Sequence, residues 1–129
     1  MSKYFSPSET CCHCGCGTNN VNPDLLERLD KLREMVGGPL YLNSCVRCPT
    51  HNANVGGVRN SQHVLGNAAD IAVPDYQYCH TSAQLAWYCR ETGLFDAVAE
   101  YDEDHGNFVH VDIRNGGSTP NMYSWFNQG

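Results

Sequence analysis

Positive charge is scarce in this sequence. Eight Lys and Arg residues stand against 14 Asp and Glu, giving a formal net charge of −6, and the eight are scattered with no basic face. Phosphate binding works through Lys and Arg displacing counterions, so this balance excludes nucleic acid as a partner. Long apolar runs are missing as well. Nothing approaches the ~18 consecutive apolar residues that a membrane span requires, and no membrane partner is expected. The opening residues, Met1-Ser2-Lys3-Tyr4-Phe5-Ser6-Pro7, lack the apolar stretch of a signal peptide. An extracellular or periplasmic site of action would then need an export route not written in this chain. There is no low-complexity stretch and no repeat at a fixed period. Length suits one domain over 1–129, with a Cys-rich segment at 1–20 and a tail at 115–129, and the expected state is a monomer.

Local signals outline an α+β domain. Ser6-Pro7-Ser8-Glu9 has the form of a capping box with Pro at the first helical position. Asn22-Pro23 reads as the cap and start of a helix whose Leu25, Leu26, Leu29, Leu32 and Met35 share one stripe, and Gly37-Gly38 ends it. Residues 40–44 read as a buried strand, and 45–62 as a long polar loop. A second strand covers 68–73. Thr81-Ser82-Ala83-Gln84 opens a helix through Leu85, Trp87, Tyr88 and Cys89 to Gly93. Two strands follow at 95–101 and 107–113, around the acidic turn Asp102-Glu103-Asp104-His105-Gly106. This order predicts a small, mostly antiparallel sheet with helices packed on one face, and a tail that returns Trp125 and Phe126 to the body.

Chemistry concentrates in Ser61-Gln62-His63-Val64-Leu65-Gly66-Asn67-Ala68-Ala69-Asp70 and in Phe108-Val109-His110-Val111-Asp112-Ile113-Arg114. Two imidazoles and one carboxylate, His63, His110 and Asp70, match a tetrahedral zinc site whose fourth position is open to water. That open position separates catalytic zinc from closed structural zinc. His63 lies before a turn at Gly66 and Asp70 at the start of a strand, so the two converge, and His110 must come from a neighbouring strand. Taken singly, each is more often an ordinary polar residue. Asp112 shares a strand face with His110, where it would orient the imidazole through its second nitrogen.

The pattern Ser-x-His-x-x-Gly-x-Ala-x-Asp, followed by an apolar strand carrying His-x-Asp, resembles the D-alanyl-D-alanine carboxypeptidase and L-alanyl-D-glutamate endopeptidase group of zinc peptidases. The zinc fold of hedgehog signalling domains is similar. Phe-Ser-x-x-Glu, Cys-x-Cys-Gly-Cys-Gly, Asn-Ser-x-x-Arg-Cys, His-Asn and Val-Gly-Gly-Val-x-Asn-Ser-Gln-His, in that order, look like the cell-wall hydrolase branch, so the resemblance runs over about 5–114. It implies Zn2+ held by His63, Asp70 and His110, and a peptidoglycan peptide as substrate. Arg47 matches the arginine that faces the scissile carbonyl, a rigid donor suited to a developing oxyanion. Ser61 would hold the substrate backbone or carboxylate, or else cap its loop.

The general base is where the sequence departs from the pattern. Many relatives carry an acid three residues before the last histidine, and here that residue is Asn107, which takes no proton at neutral pH. Asp104 stands six residues before His110, the offset of the acid in hedgehog-type domains, and is the expected base. Glu100 and Asp102 are the alternatives, with His105 assisting. The implied reaction is attack of zinc-activated water on a carbonyl polarised by zinc and Arg47. The competing reading is a non-catalytic zinc domain of the same fold, acting in cell-wall or partner binding. A redox or metal-storage module would need labile cysteines.

Eight cysteines in 129 residues exceed what a reduced cytosolic protein usually keeps. Cys11, Cys12, Cys14, Cys16, Cys45 and Cys48 form either disulfides or a second, closed zinc site. Cys-x-Cys spacing is uncommon among zinc ligands, and an even count outside the cell favours disulfides, although eight cysteines allow about 105 full pairings. Cys79 and Cys89 would join the second long helix to the segment before it. No cysteine stands in a nucleophile's setting.

Overall fold

The structure is a computed structural model that describes residues 3–37, 40–56, 61–72, 81–114, 116 and 123–126. Its elements run α1 (Pro7–Thr10), α2 (Pro23–Val36), β1 (Tyr41–Ser44), α3 (Pro49–Asn54), β2 (Ala68–Ala72), α4 (Ser82–Glu91), β3 (Ala97–Tyr101), a 3-10 turn (Glu103–His105), β4 (Phe108–Asp112) and β5 (Tyr123–Phe126). The sheet has the order β1-β2-β4-β3-β5. Every neighbouring pair is antiparallel except β3–β5, where the tail adds a parallel edge strand. The α+β class and the mostly antiparallel sheet are as expected. No described helix is long and apolar enough to cross a membrane.

Helix starts follow their caps. The Ser6 backbone N–H donates to the Glu9 carboxylate at 2.9 Å, Asn22 accepts from Asp24 N at 3.0 Å, and the Thr81 hydroxyl accepts from Gln84 N at 3.2 Å. Each satisfies a backbone donor that the first helical turn leaves orphaned. α2 stops at Gly37, which takes a left-handed conformation with φ 77°.

α2 and α4 cover one face of the sheet. Leu25, Leu29, Leu32 and Val36 of α2 meet Leu85, Ala86 and Cys89 of α4, over Ala69, Ile71, Val98, Val109 and Val111. Each large side chain buried there contributes roughly 1.5–3 kcal/mol. The α2 stripe ends on Val36 and not on Met35, which is 57% exposed, because the helix turns that position to solvent. Trp87 is likewise exposed.

Two expectations need correction. The loop at 45–62 contains α3, capped by the Cys48 thiol, which accepts from His51 N at 3.4 Å. A cysteine cap is not among the usual Ser, Thr, Asp and Asn signals. Among the described residues no disulfide is formed either: Cys11, Cys12, Cys14, Cys16, Cys45, Cys48 and Cys89 are all free thiols. Gly15 and Gly17 adopt φ of 88° and 81°, curling the chain so that Cys12, Cys14 and Cys16 gather around Cys48 without pairing. Cys79, and with it the expected link to Cys89, lies outside the described residues.

Candidate metal centre

Alternation along β2 and β4 separates core from chemistry. Ala69, Ile71, Val109 and Val111 point to the helices, so Asp70, His110 and Asp112 point to the other face. Register then brings the donors together, since Asp70 pairs directly with His110 across the two central strands. His110 Nδ1 lies 3.0 Å from Asp70 Oδ1.

His63 arrives from outside the sheet, on the turn between Ser61 and Gly66. Val64 N donates to Ser61 O at 3.1 Å and Gly66 N to His63 O at 3.2 Å, closing the turn. Gly66 is required twice over: its φ is 80°, and a Cβ there would collide with the backbone carbonyl of Asn20. The Ser61 hydroxyl accepts from His63 N at 3.1 Å, fixing the entry to the turn. His63 Nε2 ends 3.2 Å from the same Asp70 Oδ1.

The outer nitrogens decide what the inner ones can do. His63 Nδ1 sits 2.7 Å from the Cys45 carbonyl, and His110 Nε2 sits 2.8 Å from Asp112 Oδ2. Both oxygens are acceptors, so both outer nitrogens carry protons. In the neutral rings the lone pairs then lie on His63 Nε2 and His110 Nδ1, which face Asp70. One ligand atom from each of His63, Asp70 and His110 falls within 4.8 Å of the others. Two imidazole nitrogens of fixed tautomer and one carboxylate are a donor set that fits Zn2+, with a fourth position to spare.

Without a cation, protons hold the cluster together. Burial opposes charge on His110, but its bonds to Asp112 and Asp70 outweigh that and raise its pKa to about 9. Burial also opposes ionisation of Asp70, and bonds from His110 and His63 overcome it, holding this carboxyl far below the usual carboxylate range. Asp112 is lowered too: desolvation works against it, while Arg114 and His110 favour the anion. Arg114 grips Asp112 with Nε to Oδ1 at 2.8 Å and Nη2 to Oδ2 at 2.6 Å, so Asp112 is locked before it orients His110.

Arg47 stands beside the donors. Its Nη2 donates to Asp70 Oδ2 at 3.3 Å, Nη1 to Asn52 Oδ1 at 3.2 Å and Nε to Ser44 Oγ at 3.2 Å. Among the described residues these bonds engage three of its five N–H groups. A register shift between Leu42 and Ser44 sets Ser44 opposite Asp70 and so within reach of Arg47. Ser44, Asn52, Arg114 and the Cys45 carbonyl all escaped the sequence reading. Ser44 and Asn52 stand in the motifs that carry the resemblance, and Arg114 two residues after Asp112, but no role is assigned to any of them there.

Among the acidic candidates, Glu100 pairs with Val109, which places it on the helix-facing side and away from the donors. Asp102 caps the 3-10 turn, accepting from Asp104 N at 3.1 Å and from His105 Nδ1 at 2.7 Å. Asp104 is exposed in that turn and is not part of the donor cluster. Asn107 takes φ 52°, a left-handed conformation that Asn tolerates better than most side chains. Tyr101 and Phe108 pair on the donor face, their rings stacked 4.5 Å apart.

A family model described as Peptidase M15 matches residues 3–112, which contain every donor just described. The chain belongs to the peptidase M15 family. A zinc D-Ala-D-Ala carboxypeptidase of Streptomyces albus G is 32% identical to the chain over 85 residues. That match covers 65% of this chain and 32% of the relative, so the chain spans about a third of the curated protein's length. An M15 peptidase fold, a donor set fitting Zn2+ and the expected family thus agree.

Proposed function

We propose that this chain is a zinc peptidase that hydrolyses peptide bonds of peptidoglycan, as a D-Ala-D-Ala carboxypeptidase or as an endopeptidase, outside the cytoplasm. The observation that carries this reading is the pair of imidazoles whose outer nitrogens are pinned by Cys45 O and Asp112, leaving both inner nitrogens turned to Asp70. That the relative is a D-Ala-D-Ala carboxypeptidase supports the substrate class.

His63, Asp70 and His110 would hold the cation. When bound, Zn2+ supplies Lewis acidity, which acidifies water and polarises a carbonyl. The rest falls to the chain. Arg47, fixed by Ser44, Asn52 and Asp70, presents its remaining N–H groups to the oxygen of the scissile carbonyl as negative charge develops there. Asp104 accepts the proton of the attacking water and returns it to the leaving amine, and its exposure leaves it free to meet a substrate entering over the turn. Ser61 keeps its O–H for the substrate backbone while its oxygen holds His63 N. The stacked Tyr101 and Phe108 rings form an apolar wall on the same face.

The test is digestion of purified peptidoglycan and of D-Ala-D-Ala and L-Ala-D-Glu peptides by zinc-loaded protein, followed by mass spectrometry. Cleavage is expected in the wild type and lost in Asp104→Ala and His63→Ala, with product masses naming the bond. Intact substrates throughout, with zinc bound, would shift the reading to a binding domain of the same fold.

A further inference from the structure

Away from the donor face, a second cluster of metal-ligating side chains is gathered without any part in the reaction. Cys12, Cys14, Cys16 and Cys48 each place a sulfur within 4.8 Å of the other three. Cys12 Sγ and Cys14 Sγ are 3.4 Å apart, and Cys14 Sγ and Cys48 Sγ 3.7 Å. A tetrahedron with zinc–sulfur bonds of about 2.3 Å has sulfur–sulfur edges of about 3.8 Å. The thiols therefore stand at the spacing of ligands around a common centre.

We propose that Cys12, Cys14, Cys16 and Cys48 form a closed, four-sulfur site for one thiophilic divalent cation, Zn2+ foremost, and that this site clamps the loop carrying Arg47 to the N-terminal segment. It stands whether or not the chain is a peptidase.

Three features support a built site. First, the backbone is shaped to converge: in an extended chain alternating residues share a face but spread by about 7 Å, and the left-handed Gly15 and Gly17 fold that spread away. Second, the sulfurs have donors placed on them. Cys48 N donates to Cys12 Sγ and His51 N to Cys48 Sγ, both at 3.4 Å, while the Cys16 thiol donates to the Thr18 hydroxyl at 3.1 Å, a hydroxyl that can turn its own O–H to the sulfur once the thiol proton is lost. Such contacts spread the charge of thiolates bound to a cation. Third, the cluster is selective. Cys11, adjacent to Cys12, turns its thiol to Ser8 O at 3.6 Å and stays outside, and Cys45 and Cys89 are sealed in the core.

The position gives the clamp a purpose. Cys48 follows Arg47 directly and caps α3, which supplies Asn52 to the Arg47 guanidinium. Val46 N donates to Thr10 O at 3.0 Å, and Cys12 N to Thr18 O at 2.8 Å, so backbone bonds run alongside the sulfur cluster. With four ligands from protein, no position is left for water, as in structural zinc.

The experiment is metal counting by native mass spectrometry and elemental analysis on protein stripped and reloaded with Zn2+ under reducing conditions. Two zinc ions per wild-type chain are expected, one in His63→Ala, one in Cys14→Ser/Cys16→Ser and two in Cys11→Ser. Loading His63→Ala with Co2+ should give intense near-ultraviolet thiolate-to-cobalt absorption, which histidine and carboxylate ligands cannot produce. Chelation of His63→Ala should lower its melting temperature. Absence of zinc from His63→Ala, absence of its thiolate–cobalt band, or a disulfide among these four cysteines in the non-reduced protein would overturn the proposal. The zinc count and the cobalt spectrum of His63→Ala decide it even if the cysteine variant fails to fold. Loss of peptidase activity alone would leave this site standing.

Discussion

The two donor clusters differ in almost everything that sets the behaviour of a metal site. His63, Asp70 and His110 are held largely by the central strands, and their outer atoms are tied to Cys45 O, Asp112 and Arg47. Cys12, Cys14, Cys16 and Cys48 sit outside helices and strands, Cys48 as the cap of α3, with Cys14 and Cys16 exposed. The first offers three ligands of mixed chemistry and leaves a position free; the second offers four of one kind and leaves none. On the proposed reading, rigidity is placed where reacting atoms would be aligned, and a metal on the four cysteines would tie down the loops in place of a larger core.

That contrast can be broken at several points, in order of expected size. His110→Ala should remove zinc from the donor face and lower hydrolysis by at least about a thousandfold, leaving the sulfur-bound ion in place; metal counting beside a peptide assay checks both. Arg47→Ala should lower kcat by about 10²–10³ with zinc retained, the size expected for losing one oxyanion donor. Asp112→Asn should weaken zinc binding by about 10–100-fold, since the amide no longer supplies a carboxylate to His110 Nε2. Gly15→Ala should cost about 1–2 kcal/mol, because a Cβ meets open space there but the left-handed φ is strained; denaturant melts of the zinc-loaded protein measure it.

pH should sharpen the same contrast. His110 is raised from 6.5 to about 9 in the metal-free fold, so its contribution to stability is full below 6.5 and is lost as pH climbs through 9. Asp70 and Asp112 are lowered, so theirs is present above the ordinary carboxylate value and lost as pH falls through the folded values. Chelated protein should therefore melt highest between about pH 4 and 6.5. Zinc must displace the His110 proton, so its affinity for this site should rise by about tenfold per pH unit up to about pH 9. Melting curves and competitive zinc titrations across that range check the opposite trends.

Much of this was legible in the chain because it is local. Ser6, Asn22 and Thr81 announce their helices, and the alternation of Asp70 and His110 with apolar neighbours puts both on one face. The Asp112 contact with His110 follows from their shared strand face. What was missed depends on distant or backbone partners. Cys45 enters through its carbonyl, which any residue carries, and Ser44 through a register shift that no periodicity marks. The cysteines point towards disulfides in the sequence because Cys-x-Cys spacing is uncommon among zinc ligands and their count is even. Two left-handed glycines change that geometry. Glu100 is turned away from the metal ligands by strand register, which is fixed only once β3 and β4 pair.

The most direct measurement is a zinc titration into chelated wild-type and His63→Ala protein, following hydrolysis of one defined peptidoglycan peptide that the digestion has identified. Hydrolysis should appear in the wild type with the zinc equivalent that fills His63, Asp70 and His110, and should stay absent in His63→Ala at every zinc concentration that leaves the protein folded. Equal hydrolysis by the two proteins, or none in wild type with that site filled, would contradict the assignment of this cluster as the reacting centre.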